Sequence, residues 1–142
     1  MNRLSPQHLD VSDPPARPRP RRYWRAKFGH ALRGIKLGVR GHSSFCVHFF
    51  FAALAVAAAV VLGCDPVEWC LVGGCIGFVL TAELVNSAIE TLFRGLDEAT
   101  RERVWPCLDI AAGAVLVASL TAVVVAAFIF IPKFIPKLAV LF

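Results

Sequence analysis

The chain has 142 residues, enough for one small domain, and 57% of them are hydrophobic, with a mean hydropathy of +0.64. Soluble domains run at about 45–50% apolar residues, so this composition excludes an ordinary soluble enzyme and points to a membrane protein. The formal charge of +5 is unevenly spread: ten of the 15 Lys and Arg fall in residues 1–40, which marks that end as facing an anionic or membrane surface.

Residues 1–22 hold five prolines and several arginines with almost no apolar periodicity, the pattern of a disordered basic tail. Its run RPRPRR is read as a solvated tail near anionic lipid, with no nucleic acid as partner. The start of the chain lacks the basic-then-apolar pattern of a signal peptide.

Residues 23–40 change character. Trp24, Phe28, Ala31, Leu32, Ile35 and Val39 recur at steps of three and four, and Arg25, Arg33, Lys36 and Arg40 do the same on another face. At about 100° per residue these are two stripes of one amphipathic helix, suited to lie in the plane of the interface.

Three apolar segments follow. Residues 43–63 carry only His48 as an ionisable group apart from cysteines, residues 69–89 carry only Glu83, and residues 110–131 carry no charge. Each reaches the roughly 20 residues that cross about 30 Å of hydrocarbon. Too little polar sequence remains to cover three such helices in a soluble core. The expected architecture is therefore an all-α integral membrane protein, with an N-terminal amphipathic surface helix and three transmembrane helices.

GCDPV after the first segment is short and contains Pro66, so the first two spans are expected to form a hairpin. The second connection, about residues 91–107, carries Arg94, Arg101 and Arg103. The first connection carries no Lys or Arg, so the positive-inside rule puts the N-terminus and 91–107 in the cytoplasm; Lys133 and Lys137 count against that orientation. Trp69 and Trp105 fall near the expected boundaries. The two prolines of IPKFIPK are expected to end the last helix, leaving 23–132 as the folded domain and 133–142 as a tail. The cysteines at 46, 64, 70, 75 and 107 have no zinc-ligand spacing and read as small apolar fillers.

Glu83, Asn86, Ser87 and Glu90 stand at i, i+3, i+4 and i+7, hence on one helix face running from inside the second span to its cytoplasmic end. Arg94 and Asp97 continue the face, and Asp109 starts the third span at the same level. An ionised carboxylate in lipid costs about 2.5–3.5 kcal/mol on insertion scales, so the stripe is expected to face protein, water or a bound ion. Gathered carboxylates there would hold Mg²⁺ with a nucleotide's phosphates, and a deeper one would take a proton from a lipid hydroxyl. Geometry alone equally allows structural pairing with an arginine or a neighbouring helix, and a small proton-coupled transporter would use the same acids.

The string E-x-x-N-S-A-I-E at 83–90 resembles the small prokaryotic membrane lipid kinases, the diacylglycerol kinase and undecaprenol kinase family. AGAVLV at 112–117, with Asp109 ahead of it, resembles that family's third span. Ala31–Lys36 with Phe45, Val47 and His48 resembles its surface helix leading into the first span. The resemblance covers about residues 23–131. It implies a homotrimer in the bacterial inner (cytoplasmic) membrane and phosphorylation of a membrane lipid alcohol, diacylglycerol or undecaprenol, with ATP and Mg²⁺. By position, it implies Glu83 as general base, Glu90 as metal ligand, Asn86 as support for that site, and Glu102 and Asp109 near the nucleotide. Gly34-Ile35-Lys36 and Phe45-x-x-His48 lean towards the undecaprenol branch. Three positions depart from the family: His42 stands for its other metal-binding glutamate, Arg94 for an aspartate, and Leu108 for a lysine. These departures leave open a catalytically degenerate, lipid-binding or structural relative. Gly73-x-x-x-Gly77, Ala112 and Gly113 read as points of close helix approach, Phe49 to Phe51 as lipid-facing bulk, and His48, which resembles a histidine of some family members, as a hydrogen-bonded packing residue.

Overall fold

The computed structural model describes residues 23–41 and 44–139. The basic tail 1–22 and the departure at His42 lie outside the described residues. The described chain forms four helices: α1 (Tyr23–Gly41), α2 (Ser44–Leu62), α3 (Pro66–Arg94) and α4 (Glu98–Ala139). The last three are long and apolar enough to cross a bilayer.

α1 presents Trp24, Phe28, Leu32 and Ile35 fully to the outside. Only its end meets the rest of the chain. A Cβ on Gly38 would lie 2.7 Å from Leu84 Cδ2, so the glycine is what lets α1 approach α3.

α2 stops in a Schellman turn. Gly63 takes φ 69°, Cys64 N–H donates to Ala59 O at 3.0 Å, and Gly63 N–H donates to Val60 O at 3.2 Å. Asp65 then caps α3. Its Oδ1 accepts from the amides of Val67 (2.8 Å) and Glu68 (2.9 Å), while Glu68 Oε2 accepts from the Asp65 amide at 2.7 Å. Pro66 occupies the first turn, where its missing N–H costs nothing. Glu68 Oε2 also pairs with Lys133 Nζ at 3.0 Å, and that ammonium donates to Gly63 O at 3.4 Å. Burial, aided by the Glu68 charge, pushes the Cys64 thiol up, which suits an inert filler.

Two expectations are corrected here. The prolines of IPKFIPK do not end the last helix: α4 runs through Pro106, Pro132 and Pro136. A proline loses one backbone bond, whereas leaving the helix inside an apolar segment would strand several, and the Lys133 pairing holds this stretch against the α2–α3 turn. Nor is 91–107 a long connection. α3 reaches Arg94, α4 begins at Glu98, and only 95–97 are non-helical. Asp97 caps α4, its Oδ1 accepting from the Thr100 amide at 3.1 Å and its Oδ2 from the Thr100 hydroxyl at 2.7 Å. Arg101 reaches back across the turn to the carbonyls of Phe93 (3.3 Å) and Arg94 (2.5 Å). Phe93 and Trp105 meet edge to face at 5.6 Å.

Each of the three long helices contributes one stripe to the core: Phe45 and Ala59 of α2; Val72, Val79, Glu83, Asn86 and Ser87 of α3; Ala111, Val115, Ala118 and Ile129 of α4. Phe49 to Phe51 point outward, as expected. Gly73, Gly77 and Gly113 do not: a Cβ at any of them would meet nothing within 4 Å, so no helix of this chain uses them for close approach.

Asp65→Ala is expected to lower stability by about 1 kcal/mol through loss of the cap. Glu68→Ala, which removes both the cap and the Lys133 partner, should lower the melting temperature in detergent more than Glu68→Gln does. At the other end, the Thr100 hydroxyl and amide hold the Asp97 carboxyl below its ordinary 3.8. A depressed carboxyl stabilises fully above its ordinary value and stops doing so as pH falls through the depressed one. The melting-temperature gap between wild type and Asp97→Ala should therefore be constant near neutrality and close only below pH 3.8.

Candidate active site

Glu83 lies on the inward stripe of α3 and is 2% exposed. Its two oxygens meet α2: Oε1 accepts from the Ser44 hydroxyl, and Oε2 lies 3.6 Å from His48 Nε2. Ser44 and His48 stand at i, i+4 and so share one face of α2. Burying a carboxylate without partners costs several kcal/mol, which these two groups offset. His48 faces the buried acid across the α2–α3 contact.

One turn further along α3, the stripe's side chains also meet one another. Asn86 Nδ2 donates to Glu90 Oε1 at 2.9 Å. Arg94 Nη2 lies 3.6 Å from Glu90 Oε2, and Arg94 Nε donates to the Glu90 backbone carbonyl at 3.3 Å. The Glu90 side chain is 39% exposed. Between the two groups, the Ser87 hydroxyl is buried with no hydrogen-bond partner.

Glu102 and Asp109 are exposed. The Phe93–Trp105 contact and the Lys133–Glu68 pair set an antiparallel α3/α4 register that puts Asp109 level with the Asn86–Glu90 turns. At 100° per residue, however, both acids lie opposite the buried stripe of Ala111 and Ala118. The expected gathering of three acids is therefore not formed within one chain, and no cluster of three metal-binding side chains occurs among the described residues. What remains fits Mg²⁺ in its usual protein form, held by one or two carboxylates plus phosphates while keeping several waters: Glu90 is half-exposed and backed by the Asn86 amide.

Two participants escaped the sequence reading. Ser44 carries a signal only in retrospect, its i, i+4 relation to His48. Arg101 had been assigned to a loop. A cavity of about 560 Å³ opens between α2, α3 and α4, walled by apolar side chains such as Leu54, Val72, Ile76 and Val79; Glu83 does not line it, but His48, which faces Glu83, does.

The family model for prokaryotic diacylglycerol kinase matches residues 29–130. The chain belongs to the prokaryotic diacylglycerol kinase family. It is 29% identical over 106 residues to the undecaprenol kinase of Bacillus subtilis (strain 168), a match covering 75% of this chain and 86% of that protein. No solved structure matches significantly. The three apolar helices and this family membership make the chain a bacterial membrane protein of a lipid-kinase family. Glu83, Asn86, Glu90, Glu102 and Asp109, with the departures His42, Arg94 and Leu108, all fall inside the family match.

Ser87→Ala removes a buried, unpaired hydroxyl and should raise stability by about 1 kcal/mol, read from thermal unfolding in detergent. Arg94→Ala breaks a largely exposed i, i+4 pair and should change stability by less than about 0.5 kcal/mol in the same measurement.

Proposed function

We propose that this protein is a lipid kinase that transfers the γ-phosphoryl group of ATP to the hydroxyl of a membrane lipid alcohol at the cytoplasmic leaflet. The observation that carries the reading is Glu83: a buried carboxylate on a membrane-length helix, in contact with a histidine that lines an apolar cavity. A hydroxyl anchored by its own hydrocarbon is the acceptor such a base would serve.

In this reading Glu83 accepts the lipid hydroxyl's proton as the oxygen attacks the γ-phosphorus. Glu90 holds the cation, and Asn86 fixes the Glu90 carboxylate through its 2.9 Å hydrogen bond. Mg²⁺, when bound, supplies charge neutralisation on the phosphates. Glu102 and Asp109 lie on the nucleotide side; their exposure suits groups that meet a ligand arriving from water or from a neighbouring copy in a homotrimer. Arg94 acts as a phosphate clamp where this chain has Leu108 in place of a lysine. α1 lies in the interface, which its exposed Trp24, Phe28 and Leu32 favour. The N-terminus and the 95–97 turn face the cytoplasm. Of the two lysines that count against that orientation, Lys133 and Lys137, the first is paired with Glu68.

Of the acceptors, undecaprenol is favoured over diacylglycerol by the similarity to the Bacillus subtilis undecaprenol kinase. The test is transfer from labelled ATP to each lipid by purified protein in mixed micelles, with magnesium, manganese and zinc compared. Transfer is expected with undecaprenol and magnesium. Glu83→Gln and Glu90→Gln should each lower it by about 100-fold or more. An absence of transfer with every metal and acceptor would overturn the reading in favour of a lipid-binding protein, and proton flux into liposomes without ATP would overturn it in favour of transport.

A further inference from the structure

We infer that Ser44 and His48 form a positioning pair for the Glu83 carboxylate, and that His48 removes the proton Glu83 has accepted after each transfer. This rests on the reading of Glu83 as the general base.

The geometry divides the labour between the two oxygens. Oε1 is committed to the Ser44 hydroxyl, which fixes the plane of the carboxylate. Oε2 has no hydrogen bond as short and faces His48 Nε2 at 3.6 Å, a gap that leaves it free to receive a proton from an incoming hydroxyl. Because Ser44 and His48 are one turn apart on α2, a single helix face sets both contacts.

A base that is used repeatedly must also be reset. The Glu83 side chain is 3% exposed and has no path of its own to solvent, whereas the His48 side chain is 18% exposed. His48 is the titratable group paired with Glu83 across α2 and α3, and the α4 residues on the same cavity wall, among them Ser119, Ala122 and Val123, carry no charge. The proton balance is as follows. The lipid O–H proton passes to Glu83 Oε2 as the O–P bond forms and the bond from the γ-phosphorus to ADP breaks. The carboxyl proton then moves to His48 Nε2, the imidazolium releases its Nδ1 proton to water, and proton exchange with solvent returns the neutral ring to its Nδ1–H tautomer, so that both groups regain their starting states.

The experiment measures kcat and KM for Mg·ATP and undecaprenol in mixed micelles for Ser44→Ala, Ser44→Thr, His48→Ala, His48→Gln and Glu83→Gln, each checked for folding by its melting curve. Ser44→Ala should lower kcat about tenfold with both KM values within about twofold, and Ser44→Thr, which keeps the hydroxyl, should restore it. His48→Ala should lose about 100-fold in kcat and regain activity with added imidazole, whereas Glu83→Gln should not respond to imidazole. Should His48→Ala fail to fold, the near-isosteric His48→Gln carries the test, with kcat reduced and KM unchanged. Wild-type kcat in Ser44→Ala and in the folded His48 variant, or a change confined to KM, overturns the inference while an active wild type and a dead Glu83→Gln leave the kinase reading standing. A wild type inactive with every acceptor overturns both.

Discussion

The structure turns on one constraint: a carboxylate placed deep in an apolar helix must find its partners on another helix. α3 alone cannot satisfy Glu83, because its own backbone is already hydrogen-bonded and its neighbours at i−4 and i+4 are Val79 and Ser87, whose hydroxyl makes no bond. The partners come from α2. Ser44 and His48 draw the start of that helix against the middle of α3, and Phe45 between them is buried at 2% exposure. Once α2 is fixed there, the end of α1 is carried onto the same region, and Gly38 sits against Leu84, the residue next to Glu83. A single buried charge thus organises the junction of three helices around the place where chemistry is proposed.

The two ends of the α3/α4 hairpin are held by different means. At the end nearest the α2–α3 turn, Glu68 serves at once as the return partner in the Asp65 capping box and as the counter-ion of Lys133. At the opposite end, Asp97 caps α4 while Arg101 donates to the Phe93 and Arg94 carbonyls at the terminus of α3, sharing the Phe93 carbonyl with the Leu96 amide. In both cases one side chain satisfies backbone groups and also ties two helices.

Much of this was legible in the sequence. The three uninterrupted apolar runs give the three long helices, and the 83, 86, 87, 90 spacing gives the inward polar face, because both signals are periodicities of a single helix. What failed were inferences from composition. Residues 98–107 are charged and contain Pro106, so they resemble a loop, yet they form the first turns of α4 under the Asp97 cap. IPKFIPK resembles a terminator, but lipid penalises leaving a helix more than it penalises a proline. The convergence of Asp109 on Glu83 and Glu90 was inferred from its level along the bundle; level does not determine azimuth, and the small inward residues Ala111 and Ala118 turn Asp109 outward. Ser44 carried no signal of its own, because only the packing of α2 against α3 brings it to Glu83.

Arg94 bears on whether this site can work. An arginine beside the carboxylate proposed to hold the cation looks like a blocked site, with the guanidinium in the cation's place. The energetics point the other way. The Glu90–Arg94 contact is 3.6 Å long, lies within one helix, and leaves the arginine side chain 59% exposed. Pairs of that kind contribute about 0.3–0.5 kcal/mol. A charge-assisted hydrogen bond to a bound group contributes about 1.5–3 kcal/mol, so an arriving phosphate competes well for the guanidinium. Glu90 keeps its Asn86 hydrogen bond when Arg94 swings away, so its orientation does not depend on the arginine. The resting pair therefore holds two charges close to where they would be used, and its weakness lets a nucleotide separate them.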